Sequence, residues 1–121
     1  MKYAILCYHD EALVGSWSKA EDDAVLAKRG KVTARLGAQG RMGPAVRLMP
    51  THAATTVRPG REPVVLDGPF AETKEQLLGF YVVEAENLDG AVAIAKELGH
   101  GETVTFEIRP LKIFLPTGVG P

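Results

Sequence analysis

One cysteine, Cys7, stands in the 121 residues, so the chain has no internal disulfide and no multi-thiolate metal site. It lies inside an apolar run, where a buried, inert thiol is the expectation. No charge of one sign dominates: 14 basic against 15 acidic residues leave a net charge of −1. That balance gives no electrostatic reason to expect nucleic acid or an anionic membrane as a partner. No apolar run reaches the length of a transmembrane helix. The opening stretch, MKYAILCYHDE, ends in charges without a cleavage-like pattern, so neither a signal peptide nor export is expected, and the sequence reads as cytoplasmic. Gly-rich phosphate loops, nucleophile elbows and zinc spacings are also missing. His9, Asp10, Glu11 and His52 share no metal-ligand spacing, so no metal and no cofactor are expected.

What is present is the composition of a single soluble domain, 45% hydrophobic and 24% charged, large enough for one modest core. KYAILCYH (2–9) is apolar on both alternating faces and suits a strand covered on two sides. Ser18 with Glu21 forms a capping box, and Val25, Val32 and Leu36 follow at helical spacing; a helix is predicted over about 19–37. PAVRLMP (44–50) is strand-like between prolines, and 54–67 reads as a hairpin turning at Pro59-Gly60. LLGFYVVEA (77–85) is the strongest strand. A second helix over 87–101 starts at Asn87 and carries Leu88, Ala91, Val92, Ala95 and Leu98 on one stripe. TVTFEIRP (103–110) alternates as a half-buried strand. Strand-helix-strand at each end predicts an α+β, ferredoxin-like sheet with two helices on one face. The two-sided apolar strands then leave the other sheet face uncovered, which predicts face-to-face homodimerisation.

DGPFAETKEQLLGFY (67–81) resembles the signature of the DGPF subgroup of YCII-related proteins, and KYAILCYHDE, ATTVR (54–58) and FEIRPL (106–111) agree with it in order. The resemblance covers nearly the whole chain. It implies a ferredoxin-like domain that pairs into a dimeric α/β barrel with a cleft in each protomer. Activity is not implied with it: the broader superfamily includes small-molecule enzymes, among them a dehydrochlorinase-like branch and the muconolactone isomerases, while some DGPF proteins are encoded near extracytoplasmic-function sigma factors, a regulatory setting. The enzyme-like branch is associated with an Asp-His pair whose histidine lies near the start of the first long helix. SWSKAEDDAVLAKRG contains no histidine here, so that pair is not carried over.

The charged signature is expected to form the rim of a cleft where a turn enters the central strand. Asp67 with Gly68 and Pro69 suits a turn lock first and a ligand contact second, and residues 72–75 suit a solvated helical turn. Phe70, Lys74, Tyr81 and Arg109 join Asp67 as expected ligand-binding residues: Tyr81 and Phe80 point to opposite sheet faces, and Arg109 faces away from the apolar side of the last strand. For proton transfer the expected groups are His9 and Asp10 at the end of the first strand, and Glu72 in the signature. Two functions remain open at this level. One is a dimeric module binding an unidentified small molecule or a partner in a regulatory setting. The other is a small enzyme of lyase or isomerase type using general acid–base chemistry.

Overall fold

A computed structural model describes residues 1–120. The elements run β1 (Lys2–His9), α1 (Glu11–Gly15), α2 (Lys19–Ala38), β2 (Met42–Arg47), β3 (Thr55–Arg58), β4 (Val64–Asp67), β5 (Gln76–Glu84), α3 (Leu88–Leu98) and β6 (Thr105–Pro110). Four strands form one sheet in the order β2-β5-β1-β6, with every neighbouring pair antiparallel. This is the ferredoxin-like arrangement, in which β1 and β5 occupy the centre. β3 and β4 pair separately as a hairpin.

The helices form where their caps and periodicity place them. Ser18 accepts from the Glu21 amide while the Glu21 carboxylate accepts from the Ser18 amide, satisfying two of the free donors at the helix start. Asn87 accepts from the Gly90 amide to open α3. The short α1 is absent from the sequence-based expectation; Asp10 caps it by accepting from the amides of Ala12 and Leu13.

The alternation of β1 decides where the core sits. Tyr3, Ile5, Cys7 and His9 are buried on one face, while Lys2, Ala4, Leu6 and Tyr8 are half-buried on the other. Against the buried face lie Val83 of β5 and Ile108 of β6, with Val32 and Leu36 of α2 and Ala91, Ile94, Ala95 and Leu98 of α3 closing over them. Ile94 completes the α3 stripe, whereas Leu88 is 54% exposed because it lies in the first turn, at the very start of the helix.

The opposite sheet face carries Ala4, Leu6 and Tyr8 with Phe80 and Val82, as the β1–β5 register requires. The separate β3–β4 hairpin exposes Val57 and Val65 on one of its faces and Val64 and Leu66 on the other. The turn after β4 differs from expectation in its lock. Gly68, at φ +94°, donates its amide to Ala54 O at 2.7 Å and accepts from the Thr56 hydroxyl at 2.7 Å, so the backbone of Gly68 rather than the Asp67 side chain fixes it. Residues 71–75 are irregular, with bends at 71, 74 and 75 and no helical turn; the Gln76 side chain donates to Thr73 O and the Thr73 hydroxyl to Glu75 O, and these bonds take the place of a helical ladder.

Gly79 sets how closely the edge strand β2 approaches β5. A Cβ there would sit 2.0 Å from Val46 O and 3.0 Å from the Arg47 Cα, both backbone atoms that cannot swing aside. Gly79→Ala is expected to destabilise the fold by about 3 kcal/mol, at the upper end of overpacking costs. Gly43→Ala, whose nearest approach is 3.1 Å, should cost clearly less. Urea unfolding of both variants checks the ranking.

Candidate functional site

The N-terminal half of α2 contributes none of the fully buried core residues; only Val32 and Leu36 of that helix are buried. Beneath the first half lies a cavity of about 210 Å³ instead, walled by Val14, Trp17, Val25, Leu26 and Val104 and reaching Cys7, His9 and Tyr81 on the sheet. On this side of the helix a long polar side chain, Arg29, occupies the stripe position between Val25 and Val32.

Arg29 is only 13% exposed and forms an ion pair with Glu102, 8% exposed. Nε donates to Glu102 Oε2 at 3.1 Å and Nη2 to Oε1 at 2.5 Å, the side-on bidentate geometry that suits guanidinium to carboxylate. Phe106 lies 5.5 Å from the guanidinium carbon, within cation–π range. Lys28 joins Glu102 as a second cation and also donates to His100 O at 2.6 Å. Burial alone pushes the Glu102 carboxyl up, but the hydrogen bonds from Arg29 and Lys28 outweigh it and hold the group below its ordinary value. Burial lowers Arg29 likewise, and its bonds to Glu102 and Tyr81 reverse that. Cys7 is pushed up by burial, with the nearby Arg29 charge only partly offsetting it, so the thiol stays protonated.

His9 is held at the edge of the same cavity by two bonds. Its Nδ1 accepts from the Asp10 amide at 2.7 Å, which places the ring proton on Nε2, 2.8 Å from the Thr103 hydroxyl. Trp17 meets the ring edge-on, with centroids 6.3 Å apart. At the mouth, Arg47 of β2 and Asp22 of α2 pair through both guanidinium nitrogens at 2.9 and 3.1 Å.

The residues singled out from sequence fall in different places. His9 and Tyr81 line this cavity. Asp10 is adjacent to His9, but its carboxylate faces the α1 amides. Glu72 lines a second, more polar cleft with Glu11, Thr51, His52 and Gln76; there Glu11 accepts from the Thr51 amide and hydroxyl. Phe70, 80% exposed, Asp67 and Lys74 lie outside both clefts on the surface, and Arg109 stands exposed on the outward side of β6. Arg29 and Glu102 were not anticipated. A legible signal existed for Arg29: Val25, Arg29, Val32 and Leu36 fall at steps of i+4, i+3 and i+4, which puts a charge on the apolar stripe. Glu102 carries no such signal. Among the described residues no group of His, Cys, Asp or Glu is arranged to hold a metal ion, and no helix is long and apolar enough to cross a membrane.

The order of elements, the two-helix face and the signature entering β5 together describe one family, and the YCII-related domain matches residues 1–115. The chain belongs to the YCII-related family. A relative from Rhizobium meliloti (strain 1021), an uncharacterized protein, is 45% identical over 119 residues, covering 96% of each chain. For a YCII-related domain the consequence is concrete: the likeness extends over the whole fold, including the cavity walls, and leaves the chemistry to be read from the side chains.

The ion pair gives a pH prediction. Because the Glu102 carboxyl is held below its ordinary value of 4.5, its contribution to stability is complete above about that pH and is lost as pH falls through the folded-state value. Glu102→Gln is expected to cost about 3 to 5 kcal/mol at pH 7 by leaving Arg29 buried without its counter-ion. The gap between parent and variant should narrow on acidification from pH 6 to pH 3. Urea unfolding at a series of pH values measures both effects.

Proposed function

We propose that this YCII-related protein is a dimeric small-molecule-binding module whose ligand occupies the cavity beneath α2. The observation that carries this reading is a cavity of about 210 Å³ with apolar walls and a desolvated guanidinium reaching in from α2. Apolar walls supply affinity and a few fixed polar groups supply orientation, the usual division of labour in ligand pockets. The ferredoxin-like sheet holds both on rigid elements, Cys7 and Tyr81 on central strands and Arg29 on α2. Acid–base catalysis finds less support. Both His9 ring nitrogens are engaged, the Asp10 carboxylate caps α1, and Glu72 borders the other cleft. A binding module is consistent with all three.

Dimerisation through the outward sheet face is part of the same reading. Leu6, Tyr8 and Phe80 are half-buried there, and Val46 and Leu48 are 39% and 45% exposed. Apolar side chains gathered on one sheet face make a surface of the kind that a second copy covers.

Two measurements test these statements. In a metabolite-library thermal-shift screen, at least one small organic molecule should raise the parent's Tm, and Val25→Trp, which fills the cavity, should abolish the shift while remaining folded. Hits that persist in Val25→Trp, or no hit at all, count against the cavity. Light scattering at micromolar concentration should return twice the 13.0 kDa chain mass, and Leu6→Glu should shift it toward the monomer. A monomer mass at every dilution overturns the dimer.

A further inference from the structure

We infer that the cavity takes a small aromatic monocarboxylate, with its carboxylate received by Arg29 Nη1 and the Tyr81 hydroxyl. This rests on the reading of the cavity as a ligand site and adds the ligand's class.

The first ground is the state of the Arg29 fork. Two of its nitrogens, Nε and Nη2, are engaged by Glu102 at hydrogen-bonding distance. Nη1 has only the Tyr81 oxygen at 3.4 Å and the Cys7 sulfur at 3.7 Å, one contact beyond the usual N–H···O range and one to a weak acceptor. A buried guanidinium therefore keeps an edge of poorly matched donors beside cavity-lining side chains. Tyr81 accepts from that edge, and its own hydroxyl proton has no acceptor among the described residues, so two donors converge. An oxygen acceptor from a ligand is what this corner lacks.

The second ground is charge. Lys28 and Arg29 share the single carboxylate of Glu102, while Arg47 and Asp22 cancel at the mouth. Cys7 stays a neutral thiol. The charges that line the cavity, Asp22, Arg29, Arg47 and Glu102, thus cancel. The one positive charge in excess belongs to the Lys28, Arg29 and Glu102 group, with Lys28 behind Glu102 outside the lining; partly removed from water, that group attracts an anion more strongly than a surface charge would. One negative charge balances it. A dicarboxylate brings a second with no cation left for it.

The third ground is size and surface. An aliphatic cavity of about 150 Å³ accommodates benzene; about 210 Å³ fits an aromatic ring with one carboxylate. Trp17, Val25 and Leu26 supply apolar and aromatic surface for the ring.

Trp17 is the single tryptophan of the chain and lines the cavity, so its fluorescence reports occupancy. Benzoate and benzamide, nearly equal in shape and different in charge, are titrated against the full-length parent and Tyr81→Phe. Benzoate is expected to saturate the Trp17 signal with a Kd at least ten-fold below that of benzamide. Tyr81→Phe should weaken benzoate about ten-fold, the loss of one hydrogen bond to a charged group, and leave benzamide within about two-fold. Equal binding of the two compounds overturns the carboxylate assignment and leaves the cavity standing as a ligand site. An unchanged benzoate Kd in Tyr81→Phe overturns the placement of the carboxylate. A Trp17 signal that responds to neither compound overturns the ligand class altogether, and the Val25→Trp comparison then decides independently on the cavity.

Discussion

The Arg29–Glu102 pair is the constraint around which this YCII-related domain is arranged. A guanidinium and a carboxylate taken out of water must meet in good geometry or the fold loses more than it gains. Here they do, side-on and at short range, and the pair spans from α2 to the segment between α3 and β6. It thereby ties the half of α2 that has no buried apolar residue to the far edge of the sheet. With Lys28 added from the same helix, the pair does for the first half of α2 what Val32 and Leu36 do for the second. The space beneath that half is what becomes the cavity.

The sheet supplies the rigid side of the arrangement. β1 and β5 lie at the centre, and Gly79 lets the β2 backbone approach where any Cβ would collide with Val46 O. Next to it the β1–β5 register shifts between Cys7 and Tyr8, as bulges do near sites where a strand must re-aim its side chains. Cys7, Gly79 and Tyr81 all fall in this stretch, so the floor of the cavity is set by backbone geometry as much as by side-chain choice. The signature segment 67–81 contributes to that floor through Gly79 and Tyr81 rather than through its charges, which border the second cleft or face solvent.

Legibility followed the range of the interaction responsible. The capping box at Ser18 and Glu21, the Asn87 cap and the alternation of β1 and β6 are local, and each lay open in a few consecutive residues. The hairpin over 54–67 and the strand into β5 were legible for the same reason. The short α1 was missed because Asp10 beside a histidine invites a catalytic reading, while its carboxylate serves the amides of Ala12 and Leu13. The expected helical turn at 72–75 was overridden by the Gln76 and Thr73 side-chain bonds. Asp67 lost its role as turn lock to the backbone of Gly68, whose partners Ala54 and Thr56 come from the other side of the hairpin.

The sequence by itself determined the sheet strands and the two long helices, their order, the two-helix face and the family, because periodicity, caps and turn residues act over a few positions and leave their mark there. Only the tertiary structure decided which side chains share a cavity. Arg29 and Glu102 are separated by most of the chain, and a charge on a helix reads as solvated until its partner is known. His9 and Tyr81 were legible as candidates, yet their surroundings were set by strand register, by the close approach at Gly79 and by an ion pair, all of which join residues distant in sequence.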